Sequence, residues 1–251
     1  MTVVLMPLPD RDFDPTETGV PWRILSGRGH RVVFATPDGR PGTADPKMVT
    51  GEGLGILAPL LRANAVGRAA YEEMAQCSAF RRPLSYQDIS TSDFDGLLLP
   101  GGHAKGMRIY LEAERVRAAT AGFFAAGKPI GAICHGVLVA ARSRGPAGKS
   151  VLFGKRTTGL TKAMELGAWA LTAAYLGSYY RTYPTPVETE VKAALARPDD
   201  FLQGPISLTR DSPTTLMTGF TVRDGNYLSA RWPGDAHRFA TEFAILLEQS
   251  G

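Results

Sequence analysis

The sequence predicts a single α/β domain, a mostly parallel sheet sandwiched by helices, with a cysteine set where one strand turns into a helix. Three observations predict it. Apolar, strand-like runs recur at 2–8, 31–36, 95–100 and 129–134, separated by stretches able to form helices, which is the alternation of a parallel sheet. The run ending at Pro100 stops in Gly101-Gly102-His103, a turn almost free of side chains. The run from Pro129 passes straight into Cys134-His135-Gly136, a strand, nucleophile and helix in immediate succession.

Each element follows from local chemistry. Residues 2–8 form the first strand: the apolar N-terminus has no basic lead and no small-residue cleavage site, so it is not a signal peptide. In the first crossover Pro21, Trp22, Ile24 and Leu25 supply an apolar helix face, and Gly27 and Gly29 stop it. After the strand 31–36 comes an added segment, 39–92, with a helix around 63–75. A helix over 111–126 ends in Gly127-Lys128-Pro129 and feeds the strand that carries Cys134, and the next helix starts at His135. A second added segment, 157–202, is rich in aromatics and proline. Both segments are expected to be cap or interface material. A strand at 227–231 and a helix at 235–248 close the chain, with no internal repeat and no flexible linker across residues 1–251.

Composition narrows the function. Of the 251 residues, 44% are apolar and 21% charged, enough for one large core. The 28 Lys and Arg against 24 Asp and Glu are scattered, so no nucleic-acid footprint is present. No stretch approaches the roughly 18 apolar residues of a membrane span. A soluble, cytoplasmic protein without membrane or nucleic-acid partners is expected. Cys77 and Cys134 have no metal-ligand spacing, which argues against a disulfide framework, a zinc site or any other metal.

Cys134 is the centre of the predicted chemistry. A residue at a strand-to-helix turn stands at the carboxyl end of the sheet, where open α/β folds bind ligands. The helix N-terminus is expected to favour the thiolate and lower its pKa from about 8.5. The plain alternative is a structural cysteine. Backbone N–H groups of the Gly101-Gly102 turn, with that of His135, form a candidate oxyanion hole, the alternative being an ordinary tight turn. His103 is either a ligand-side or a solvated histidine.

Leu99-Pro100-Gly101-Gly102-His103, followed about thirty residues later by Ala132-Ile133-Cys134-His135-Gly136, resembles the ThiJ/PfpI superfamily, in particular its longer, capped, glyoxalase III-like branch. The likeness covers residues 3–139 and implies a flavodoxin-like sheet of the class I glutamine amidotransferase-like kind. It also implies an acid on the first strand-to-helix loop that hydrogen-bonds the cysteine sulfur. The family pattern of Glu, then Pro four residues on, then a helix ending in Gly is met by Glu17, Pro21 and Gly29; Asp14 and Asp12 are competitors, and on their own all three read as solvated loop acids. A carboxyl group buried beside a thiolate should be protonated, because two contacting anions repel in a low-dielectric pocket. His135 either turns to the sulfur as a base or points aside. Members with a catalytic triad orient that histidine with an acid, for which Glu165 is the candidate; the plain reading of Glu165 is a surface helix glutamate. The resemblance implies a homodimer.

Other signals lead nowhere. Residues 145–150, Gly-Pro-Ala-Gly-Lys-Ser, lack the first glycine and the strand of a phosphate loop, and residues 51–55 lack the strand of a dinucleotide site. His237 is followed by Arg238 and Phe239, not by the His-x-Glu of a glutaminase. Tyr179, Tyr180 and Tyr183 either line a pocket or simply pack. The expected function is a cofactor-independent, cysteine-dependent enzyme on a small electrophile, a glyoxalase III-like lyase or hydratase turning a 2-oxoaldehyde into a 2-hydroxy acid. The alternatives are a cysteine hydrolase, peptidase or amidase, and a redox-sensing or chaperone (holdase) stress-response protein without turnover.

Overall fold

The computed structural model describes residues 1–250. Its main sheet contains β1 (Val3–Pro7), β3 (Arg31–Thr36), β5 (Leu84–Ser85), β6 (Gly96–Leu99), β7 (Ile130–Ile133), β8 (Thr221–Asp224) and β9 (Tyr227–Ala230), in the order β5-β3-β1-β6-β7-β9-β8; β2 (Arg11–Phe13) and β4 (Thr43–Ala44) form a separate pair. Every pairing in the main sheet is parallel except β8 with β9. The α/β fold expected from the alternation is therefore present. The strands β6, β7 and β9 are buried throughout, which is why they read as short continuous apolar runs.

Two helical layers enclose the sheet. Helices Pro15–Gly27, Ala65–Gln76 and Ala236–Ser250 pack together as one layer; Glu114–Ala125, Gly136–Arg142 and Val187–Ala194 form the other. The core between them includes Leu5, Phe34, Leu98, Ile133, Val137 and Phe243. No helix of the described residues is long and apolar enough to cross a membrane.

Several elements differ from expectation for identifiable reasons. The first helix begins at Pro15, well before Pro21, because Asp14 caps it, accepting from the N–H groups of Thr16 and Glu17 at 2.7 and 3.0 Å. Pro21 lies inside and lacks the N–H that would bond the Glu17 carbonyl. Gly29, at φ +80°, stops the chain, as its position suggested. The helix expected over 111–126 is broken: Arg108–Leu111 ends, Ala113 is extended, and Glu114–Ala125 begins. Within 39–92, the helix Ala65–Gln76 and β5 belong to the sandwich itself, whereas Met48, Leu60 and Leu61 reach a cavity above it. Strands β2, β4, β5 and β8 had no counterpart in the sequence reading.

The order of the strands fixes where a ligand goes. From β1 the chain steps outward to β3, and from β6 it steps outward on the other side to β7. The crevice at such a reversal, at the carboxyl ends of the strands, is where open α/β sheets bind ligands.

Candidate active site

Three loops meet at that reversal. The loop after β1 carries Asp12, Asp14 and the start of the Pro15–Gly27 helix; the turn after β6 carries Gly101 to His103; the turn after β7 is Cys134-His135. Two hydrogen bonds lace the first two loops: the Asp14 N–H donates to the Gly101 carbonyl at 3.0 Å, and the Gly101 N–H donates to the side-chain Oε2 of Glu17 at 2.9 Å.

Cys134 stands at φ +57°, a conformation non-glycine residues rarely take. This strained backbone makes the turn between strand and helix a sharp elbow. Gly136 makes the elbow fit. A β-carbon there would lie 2.1 Å from the Leu99 carbonyl oxygen, so only glycine lets the helix start against the end of β6. Gly101 is equally crowded: its β-carbon would fall 2.6 Å from Glu17 Oε2 and 2.8 Å from both Cys134 Cβ and the His135 nitrogen. Glu17, Cys134 and His135 therefore surround one residue.

Of the three loop acids, Glu17 is the one that meets the cysteine. Asp14 is the helix cap, and Asp12, in a left-handed conformation at φ +72°, accepts from the Gly106 N–H at 2.9 Å. Glu17 is fully buried, and burial, then the neighbouring Asp14, push its carboxyl well above the ordinary carboxylate range. Its Oε1 has no hydrogen-bond partner among the described residues, and the nearby Cys134 thiol is the side chain that tempers the upward shift. The upward direction is the one expected of a carboxyl group sharing a dry pocket with a thiol.

The thiol does not behave as expected from the helix N-terminus alone. Burial, reinforced by Glu17 and Asp14, raises the Cys134 thiol well above its usual value; the nearby His135 backbone N–H pulls the other way and is outweighed. In the unliganded site the sulfur thus holds its proton.

His135 turns its ring to the sulfur, with Nδ1 at 3.5 Å from Sγ. Its Nε2 lies 3.0 Å from the hydroxyl of Thr182, and that hydroxyl donates its one hydrogen to the His103 carbonyl. Nε2 must then carry the proton and Nδ1 the lone pair that faces the thiol. Burial, with His103 and Arg142 adding repulsion, holds His135 down to about 3, so the ring is neutral.

Thr182 is a positioning residue the sequence did not reveal, and it occupies the place assigned to an orienting acid. Glu165 is turned elsewhere: its Oε2 accepts from the Val187 N–H at 2.9 Å at the start of the next helix, and its Oε1 is 3.5 Å from Arg181 Nε. The expected Glu165–His135 contact is replaced by Thr182–His135. Glu165 is buried and its carboxyl borders the cavity, so it is not a surface glutamate either.

Among the predicted oxyanion donors the Gly101 N–H is taken by Glu17, and that of His135 faces the sulfur. The Gly102 N–H has no hydrogen-bond partner among the described residues. Gly102, at φ +152°, is required because a β-carbon would sit 2.7 Å from the Asp12 carbonyl. His103 lies on the ligand side, its ring stacked on Tyr180 at 4.3 Å, with burial depressing its pKa. Tyr180 lines the cavity; Tyr183 instead packs between the guanidinium groups of Arg108 and Arg142.

The cavity over Cys134 has a volume of about 330 Å³. Asp14, Glu17, His103 and Cys134 form its polar floor, and Leu60, Met164, Leu171 and Leu208 contribute to largely apolar walls. One wall comes from an irregular stretch of the C-terminal part, with Leu208 and Arg210, and from Trp232-Pro233. No sequence motif marked these residues.

Comparison with known proteins fits this geometry. A deglycase of Pyrococcus abyssi is 27% identical over 167 residues, 66% of this chain and 69% of its own length. A deglycase of Pyrococcus horikoshii is 26% identical over 239 residues, 94% and 95% of the two chains. The crystal structure of glyoxalase III from Candida albicans, 17% identical, shares the fold with a TM-score of 0.68 over 98% of this chain and 97% of its own. A family model described as ThiJ/PfpI family-like matches residues 8–200, so the motif pair around Gly101 and Cys134 is that of a true relative: the chain belongs to the ThiJ/PfpI family.

Proposed function

We propose that this protein is a cysteine-dependent enzyme that converts a 2-oxoaldehyde to the corresponding 2-hydroxy acid. The observation that carries the reading is two groups of opposite tendency beside one sulfur: the Glu17 carboxyl, which burial drives upward, and the neutral His135 ring, whose Nδ1 lies 3.5 Å from Sγ. Paired groups whose environments drive their pKa values apart are an acid and a base. The relatives named deglycases and the fold neighbour named glyoxalase III support a family enzyme of this general type.

The steps balance on these residues. Cys134 Sγ adds to the aldehyde carbon while its proton passes through His135 Nδ1 to the aldehyde oxygen, giving a hemithioacetal. The Gly102 N–H, and that of His135 once the sulfur is bonded, stabilise the oxygen as charge develops. His135 then takes the hydrogen from the former aldehyde carbon as Glu17 protonates the adjacent ketone oxygen, leaving an enediol. Returning the proton from His135 to the second carbon, and the hydroxyl proton of the first to Glu17, yields a thioester of the 2-hydroxy acid. Water cleaves it, releasing the acid and restoring the thiol. The segments 39–92 and 157–202 serve this scheme as walls that keep bulk water off the intermediate.

A hydrolase of the triad kind is less well supported, because no acid orients His135: its Nε2 faces the Thr182 hydroxyl, and Glu165 is turned to Val187 and Arg181. Turnover of phenylglyoxal to mandelate is the test. Cys134→Ser is expected to abolish it, with Glu17→Gln and His135→Ala each lowering it by about 10² or more. Full activity in the serine variant would remove the scheme.

A further inference from the structure

Among the described residues, Arg210 is the one permanently cationic side chain that lines the cavity. It stands on the irregular stretch before Asp211, with its guanidinium 5.3 Å from the centre of the Trp232 ring. Its Nη2 donates to the Arg62 carbonyl at 3.3 Å, and its Nη1 is buried with no partner. Three other arginines withdrawn from solvent have carboxylate partners: Arg231 with Asp235 at 2.9 Å, Arg142 with Glu190 at 2.6 Å, Arg238 with Glu242 at 2.7 Å. Arg210 makes no ion pair among the described residues. Asp14 and Glu17 are close enough to act on its charge, but one caps a helix and the other holds the Gly101 N–H. A guanidinium withdrawn from water without a carboxylate is costly unless something binds to it.

We propose that Arg210 is the anion anchor of this cavity and that the molecule taken up there carries a carboxylate and an apolar body besides the carbonyl group that meets Cys134. The proposal rests on the reading of Cys134 as nucleophile and narrows its substrate class. A carboxylate matches the planar fork of a single guanidinium. A dianionic phosphate would face that same one cation with the Asp14 and Glu165 side chains on the same lining. The walls of Leu60, Met164, Leu171 and Leu208 suit a hydrocarbon body, and about 330 Å³ reaches the range of cavities that hold ligands well above three carbons.

Hexanoate and its neutral isostere hexanamide test this. In a Cys77→Ser background, the concentration of each that halves the rate of Cys134 alkylation by iodoacetamide is measured, together with Kd by calorimetry. The parent is expected to bind hexanoate about tenfold or more tightly than hexanamide, the effect of a charge-assisted hydrogen bond. Arg210→Met and Arg210→Gln should erase that preference and Arg210→Lys keep part of it, with far-UV circular dichroism identifying the folded variants. Inorganic phosphate at the same concentration should not protect. Equal binding of acid and amide by the parent, a preference surviving in the folded Met or Gln variant, or protection by phosphate matching hexanoate would each overturn the proposal. If Cys134 resists iodoacetamide altogether, the nucleophile reading fails instead, and the calorimetric preference still decides the anchor.

Discussion

Burial moves Glu17 and His135 in opposite directions, because it disfavours the anion of one and the cation of the other. The linkage has a definite sign. Glu17 is raised in the folded state, so its burial is harmless below the unfolded value near 4.5 and costs stability progressively as pH rises toward the folded pKa. Glu17→Gln has no proton to lose, and is expected to be more stable than the parent by about 1–3 kcal/mol near pH 7, with the gap closing as the pH falls to about 4, read by urea melts. A gap that ignores pH would mean the carboxyl titrates normally. For His135 the sign is reversed: its contribution is present above 6.5 and lost as pH falls toward about 3. Cys134, His135 and the two glycines were legible because they are adjacent in sequence and each type has a use at such a turn. Glu17 was legible only through the resemblance, and the direction of the Cys134 shift was not, since it depends on how dry the pocket is. Thr182 and Arg210 left no signal, being an ordinary hydroxyl and an ordinary cation brought in by irregular backbone.

At the scale of elements, the start of the Gly136–Arg142 helix and the loop that holds Thr182 do most to set the site. Gly136→Ala would drive a methyl into the Leu99 carbonyl, forcing the ends of β6 and β7 apart. A loss of about 3 kcal/mol in thermal or urea unfolding is expected, with turnover lost alongside it. Thr182→Val keeps the shape but leaves the His135 Nε2–H without an acceptor, at a cost of about 1–3 kcal/mol. It should lower kcat more than it alters KM, and Thr182→Ser should restore it; a purely structural threonine would not separate the two constants. The central strands were legible because parallel strands covered on both sides are short apolar runs. Strands β5 and β8 were not, since one is two residues long and the other mixes Thr221 and Val222 with Arg223 and Asp224. The first helix was half legible: its apolar face from Pro21 and its glycine stop were readable, and its earlier start at the Asp14 cap was not.

For the whole molecule, chain reversal between β1 and β6 is what brings residues 17, 101 and 134 together from three separate crossovers. That convergence was readable as a fold class, whereas the cavity was not, because its walls come from residues 48–61, 160–180 and 208–233 and depend on packing across the entire chain. The two ends of the sheet have a consequence of a different kind. On one side the last strand offers only Leu84 and Ser85, and on the other β8 runs against the grain of the sheet with Arg223 exposed at its rim. A free strand edge is a template on which another chain can polymerise. Here one template is too short to copy and the other carries charge where a copy would have to dock, so a sheet that is apolar through its middle is poorly suited to seeding fibrils from either margin.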